Sequence, residues 1–237
     1  MKTLVLFDID GTLVLTGHAG LRALDRAFRD VLGLADALGQ VAFAGRTDRA
    51  IISEALDKAG RRVDDETYLA VRDRYCEYLA AEVGVSSEHP RCVLPGIETT
   101  LDHLAPLEAD GRVAVGLLTG NFARGAEIKL SYFDLWRRFR FGAYGDHHVD
   151  RRDLVPLAID AAARAGVGQF SPAETVIVGD TPADVDCAHA HGAKAVAVAT
   201  GMFTEDQLRE TGAEVVVRDL SNWPAIWFAL YPLSPNQ

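Results

Sequence analysis

The chain is poor in cations, in cysteine and in long apolar runs. Lys and Arg together number 24 against 34 Asp and Glu, a formal net charge of −10. That balance argues against a polyanion or an anionic membrane surface as the main partner, so neither nucleic acid nor membrane is expected. An acidic chain that handles a small anion needs help from a cation. The three cysteines, Cys76, Cys92 and Cys187, are odd in number, scattered and without metal-ligand spacing. They exclude a disulfide framework and fit a reducing, cytoplasmic setting. The first apolar run, residues 3–7, is interrupted by Asp8 and Asp10 and is too short for a signal peptide or a membrane span. There is no Gly-x-Gly-x-x-Gly behind a strand and no Walker sequence, so neither a dinucleotide nor a P-loop nucleotide site is supported. No internal repeat and no low-complexity segment is present.

What remains is an ordinary globular composition, 49% hydrophobic and 24% charged over 237 residues. On a prior of about 150 residues per domain, that is one domain and roughly half of another. Five short, continuously apolar runs read as strands buried on both faces: residues 3–7, 113–118, 175–178, 195–198 and 214–217. Helical patterns at 154–165, 182–191 and 205–211 separate the later ones, which predicts a parallel sheet of Rossmann-like α/β type. Residues 17–93 differ, showing three amphipathic faces and no convincing strand: Leu21, Leu24, Phe28 and Leu32; Ile51, Ile52, Ala55, Leu56 and Ala59; Tyr68, Val71, Tyr75 and Leu79. The expected organisation is an α/β core of residues 1–16 and 94–237 carrying an α-helical cap of residues 17–93. Hinges are expected at 15–17 and 94–96 and a loose tail at 234–237. The apolar stretch 223–231 fits either the core or an interface, leaving monomer or homodimer open.

Three of the strands end in polar clusters: Asp8-Ile9-Asp10-Gly11-Thr12, Thr119-Gly120-Asn121, and Gly179-Asp180-Thr181-Pro182-Ala183-Asp184. Ligands of open parallel sheets bind outside the carboxyl ends of strands, so the three can converge on one crevice. Asp8, Asp10 and Asp180 together make a hard oxygen site suited to Mg²⁺. One carboxylate of such a set can act as nucleophile while a second moves the proton. Thr119 offers a hydroxyl, and the amides of Gly120 and Asn121 lead into a helix and can donate to phosphate oxygens.

These clusters, in this order and strand context, resemble motifs one, two and four of the haloacid dehalogenase superfamily over nearly the whole chain. The position of the helical insert is similar to that of the phosphoglycolate-phosphatase-like branch. The resemblance implies a Mg²⁺-dependent phosphatase acting on a small phosphorylated metabolite, phosphoglycolate-like or a sugar phosphate, through an aspartyl-phosphate. It implies Asp8 as nucleophile, Asp10 as general acid and base, and Thr119 as a phosphate ligand. Asp180 would ligate the metal with Asp184 in support, and the main-chain carbonyl at Asp10 would be a further ligand. The acid at Asp10 separates the chain from true dehalogenases. A phosphomutase, a phosphonatase or a binding module that has lost turnover is the alternative. Motif three departs from its usual Lys-Pro pair. Spacing favours Arg152 as the phosphate clamp, with Arg151 and Lys129 as rivals. In the insert, Arg46 of Ala44-Gly45-Arg46-Thr47-Asp48 is the candidate substrate contact, and Thr47 or Asp48 the cap of the following helix. Asp146-His147-His148-Val149-Asp150 reads as a polar surface loop, and Tyr68, Tyr75 and Tyr78 as packing.

Overall fold

The computed structural model describes residues 2–39, 41–62 and 64–231; the expected tail at 234–237 lies outside them. In chain order the elements are β1 (Thr3–Phe7), β2 (Val14–Thr16), α1 (Ala19–Leu32), α2 (Asp48–Lys58), α3 (Asp65–Glu82), β3 (Arg91–Val93), α4 (Ile97–Ala109), β4 (Val113–Leu118), α5 (Ala123–Tyr132) and β5 (Gly142–Ala143). There follow α6 (Leu154–Arg164), β6 (Thr175–Gly179), α7 (Pro182–His189), β7 (Lys194–Val198), α8 (Glu205–Arg209), β8 (Val215–Val217) and α9 (Trp223–Leu230).

Six strands form one parallel sheet in the order β5-β4-β1-β6-β7-β8. Every residue of β1, β4 and β6 is buried, which is why each reads as an unbroken apolar run. Alternation along β1 splits the core into two layers. Val5 and Phe7 face α4, α5 and α9 through Leu101, Leu130 and Trp223, while Leu4 and Leu6 face α6, α7 and α8 through Leu154, Val185 and Leu208. Trp223, Ile226 and Leu230 bury one face of α9, so that stretch completes the core. Val5 registers with Val115 on one side and Val176 on the other. The chain leaves β1 for β4 and β5, then returns to β6 on the opposite flank. The switch point therefore lies beside β1.

Between β2 and β3 lie α1, α2 and α3. Their buried faces meet in a separate apolar cluster that includes Ala23, Phe28, Ile52, Leu56, Val71 and Leu79. The expected absence of a strand in residues 17–93 is corrected by β3, which pairs antiparallel with β2 at the base of this insert. Three-residue strands, with Leu15, Arg91 and Val93 only partly buried and Cys92 exposed, show no period that a sequence could display. One core residue belongs to the insert's cluster. Phe122, fully buried ahead of α5, sits edge-on between Tyr68 and Tyr75, with ring centroids 5.9 and 5.8 Å away. Among the described residues no helix is long and apolar enough to cross a membrane.

Candidate active site

Because β4, β1 and β6 are neighbours, the residues that follow them meet. Asp8 leaves β1 with its N–H donating to Val178 O at 2.9 Å, and Thr119 leaves β4 with its N–H on Ala143 O at 3.1 Å. Asp180 follows β6. Asp184 sits in the first turn of α7, where Oδ2 accepts from Thr181 N at 3.0 Å and Thr181 Oγ1 at 2.7 Å, closing a capping box. The sharp turn after Asp10 depends on Gly11, at φ 81°. A Cβ there would stand 2.3 Å from Asp180 Oδ2, so only glycine allows these two loops their approach.

Asp8, Asp180 and Asp184 are all buried, and each presents an oxygen within 4.8 Å of the others. The one cation among them is Arg151. Its Nη2 stands 3.0 Å from Asp8 Oδ1 and is bonded to Asp184 Oδ1. The approach to Asp8 is an ion pair off the N–H direction, and Asp8 Oδ1 makes no hydrogen bond. Burial, reinforced by Asp184 and Asp10 and opposed by Arg151, pushes the Asp8 carboxyl up to about 6. Burial, with Asp184 and Asp8, raises Asp180 well above the usual range. Three buried carboxylates facing one guanidinium leave uncompensated negative charge, which an interior tolerates poorly. With the oxygens of Asp184 held by Thr181 and Arg151, and Asp180 Oδ1 holding Thr12 Oγ1 at 3.1 Å, the unbonded Asp8 oxygen and this oxygen-only set fit a hard divalent cation.

The Asp10 carboxylate does not join that cluster. Its Oδ2 accepts from Lys129 Nζ at 2.5 Å and Asn121 Nδ2 at 2.9 Å. Lys129 also donates to Asn121 Oδ1 at 2.7 Å, and Asn121 Nδ2 to Thr119 Oγ1 at 2.8 Å. Motif-two residues and the aspartate of motif one are thus tied together by a buried lysine on α5.

Arg152, favoured by spacing as the phosphate clamp, is turned away: its side chain is 53% exposed and holds Asp150, with Nη2 2.6 Å from Oδ2. The place expected for it is taken by Arg151. Both lie in one turn of 3₁₀ helix, where successive side chains point about 120° apart, so a shift of one residue exchanges inside for outside. Arg46 lines the cavity over the site but is folded back on its own element, bonded to Glu54 Oε2, to Ala42 O at 3.2 Å and to Ala50 O at 3.4 Å.

A cavity of about 940 Å³ lies between the strand ends and the insert, with Asp8, Asp10, Thr119, Gly120, Asn121 and Asp180 on its core side. The insert is latched over it. Thr47 caps α2 by accepting from Ala50 N at 3.1 Å, and Thr47 Oγ1 donates to Val149 O at 3.2 Å. Tyr68 donates to Asp146 O at 2.6 Å, and Asp48 N to Gly120 O at 2.7 Å. Asp48 Oδ2 accepts from Phe122 N at 2.9 Å, and Asp146 Oδ2 from Ala123 N at 2.8 Å, so two carboxylates serve the start of α5. The loop read as polar surface is thereby part of the junction. Nothing short of tertiary contact marks Asp48, Asp146 or Phe122 for these roles.

Burial, with Asp10 and Asp146, raises the Asp48 carboxyl to about 6 despite Lys129 and the Phe122 amide. Because the folded value lies above the ordinary 3.8, ionising Asp48 weakens the fold progressively as pH rises from about 4 to about 6. Asp48→Asn keeps an acceptor for Phe122 N–H and removes the charge. Its thermal midpoint is expected to exceed the parent's above pH 6 and to match it below pH 4. Asp48→Ala, which also removes the acceptor, is expected to lose about 1 kcal/mol relative to Asp48→Asn. Melting curves across pH check both.

A model of HAD-hydrolase-like proteins matches residues 151–223, the stretch that holds Arg151, Asp180 and Asp184. The chain is 30% identical over 241 residues to the probable phosphatase IndB of Dickeya dadantii, across 100% of this chain and 98% of that one. Among solved structures it is similar to a β-phosphoglucomutase from Clostridium difficile (TM-score 0.70, 16% identity, 97% of each chain). It is also similar to a predicted phosphoglycolate phosphatase from Haemophilus somnus (TM-score 0.67, 18% identity, 95% of this chain and 98% of that one). These two share the fold of this chain. With a full-length relative and a matching fold to set beside the converging strand ends, the chain belongs to the haloacid dehalogenase-like hydrolases.

Proposed function

We propose that the protein is a Mg²⁺-dependent phosphatase that hydrolyses a small phosphomonoester through an aspartyl-phosphate on Asp8. The observation that carries this reading is the Asp8 carboxylate: buried at the switch point, lining the cavity, with Oδ1 free of hydrogen bonds and a cation beside it. Asp8 and Asp180 would hold the Mg²⁺, with Asp184 in support and, as the family resemblance implies, the main-chain carbonyl of Asp10. The ion would neutralise phosphoryl oxygens that the local carboxylates otherwise repel.

An oxygen of Asp8 attacks phosphorus, and the bond to the leaving oxygen breaks as Asp10 gives that oxygen its proton. A water molecule then gives its proton to Asp10 and attacks the acyl phosphate, freeing Asp8 and inorganic phosphate. The Thr119 hydroxyl, the amides of Gly120 and Asn121, and Arg151 hold the phosphoryl charge. Lys129 and Asn121 both donate to Oδ2 of Asp10, which leaves Oδ1 to carry the proton.

Phosphate release from a panel of phosphomonoesters tests the reading directly. With Mg²⁺, release is expected from at least one of them. A chelator is expected to suppress it by about 100-fold or more, the scale of removing a principal electrostatic partner of the transition state. Release that survives chelation, or none from any substrate, would sink it.

A further inference from the structure

The half of the cavity that faces away from Asp8 carries an unusual balance of charge. Its apolar lining is Leu21, Leu24, Val41, Phe43 and Ile51 of the insert and Phe203 of the core. The cations that line the cavity among the described residues are already engaged. Arg151 holds Asp8 and Asp184, and Lys129 holds Asp10. Arg46, from the insert, has its donors taken by Glu54, which also pairs with Lys58, and by two backbone carbonyls. Two histidines, His18 and His89, stack with ring centroids 3.8 Å apart. Burial, together with His89 and Arg22, lowers the His18 imidazole, so it is neutral at physiological pH. One acid on the wall, Asp48, adds repulsion once it is ionised.

A carboxylate or a second phosphate on the leaving group would therefore meet apolar side chains and Asp48, and among the described residues no Lys or Arg lining the cavity is uncommitted. A neutral group with a flat or branched apolar face would meet complementary walls. Resting on the phosphatase reading of this site, we propose that the leaving group is an uncharged alcohol with a substantial apolar or aromatic face. Phosphomonoesters that carry a second anion are rejected. The Arg46–Glu54 pair is part of the filter, because Glu54 occupies the guanidinium that an anionic substrate would need.

The test is binding of two phosphonates matched in size, p-methylbenzylphosphonate and p-carboxybenzylphosphonate, measured by calorimetry at neutral pH with Mg²⁺. The methyl compound is expected to bind about tenfold or more tightly than the carboxylate, the penalty of one like charge in a partly desolvated site. Glu54→Gln, which releases Arg46 and Lys58 from their shared carboxylate and lies outside the cavity wall, is expected to tighten the carboxylate by about tenfold and to leave the methyl compound within twofold. Equal or tighter binding of the carboxylate by the parent protein, binding of neither compound, or no selective gain in Glu54→Gln would overturn the proposal. Phosphate release, followed separately, keeps the two readings apart. Selective binding without turnover removes the phosphatase and leaves the filter, whereas turnover that favours carboxylated esters does the reverse.

Discussion

Asp8→Asn is expected to lower phosphate release by on the order of 10⁴-fold or more, the scale seen when the nucleophile of a covalent mechanism is removed. The amide keeps the shape of the carboxylate and cannot form an acyl phosphate. Its effect on stability should run the other way. Burial holds the Asp8 carboxyl up near 6, so in the metal-free protein its ionisation costs stability as pH rises from about 4 to about 6 and fully beyond. The amide variant is therefore expected to melt higher than the parent at neutral pH when Mg²⁺ is withheld. A dead enzyme with a raised melting temperature separates loss of chemistry from loss of fold. Parent protein quenched during turnover should carry one phosphoryl group by mass spectrometry, and the variant none. Full activity in Asp8→Asn would dispose of the mechanism.

Arg151→Ala and Arg152→Ala should differ as sharply as two adjacent arginines can. Arg151 is buried against Asp8 and Asp184, and these acids are the main source of the upward shift of its guanidinium. Removing it strands two interior carboxylates, a loss of about 3–5 kcal/mol, and takes away a ligand of the phosphoryl charge. Arg152→Ala gives up an exposed pair with Asp150 and is expected to change stability by less than about 1 kcal/mol and activity by less than about twofold. Should Arg151→Ala not fold, Arg151→Lys answers the same question. A single ammonium retains charge but lacks the planar fork, so a folded protein with sharply reduced turnover is expected. Thermal melting and phosphate release on all three variants decide the matter. Equal effects at the two positions would return the clamp to Arg152.

The strand ends were legible because β1, β4 and β6 are covered on both faces. Full burial makes each a run of apolar residues, and the polar residues that halt the runs at Asp8, Thr119 and Asp180 stand out against them. Helices α1, α2 and α3 showed in the same way, through one-sided apolar spacing. What stayed hidden had no periodic signal. β5 is two residues long and inherits its position from its neighbour, and the β2–β3 ribbon is held by pairing rather than by pattern. Spacing points to Arg152 and not to the buried Arg151 because a single turn of 3₁₀ helix decides which arginine faces inward, and spacing along the chain cannot count a turn whose start is unknown. The roles of Asp48 and Asp146 exist only across the junction, where residues many positions apart share the first amides of α5.

Phe122 gives the junction a mechanical meaning. It directly follows Thr119, Gly120 and Asn121, yet its ring is seated among the helices of the insert, between Tyr68 and Tyr75. The loop proposed to bind phosphate is thus pinned at one end by the sheet and at the other by the insert, the proposed lid. If the lid lifts, either Phe122 leaves its socket, exposing a large apolar ring and an empty slot, or it follows the lid and drags the loop's amides out of line. Both options oppose a state in which the lid stands open while the phosphate loop stays in register. The anion subsite is then fully assembled only under a closed roof. A phosphoryl group transferred to Asp8 would then be hydrolysed while the insert stays seated.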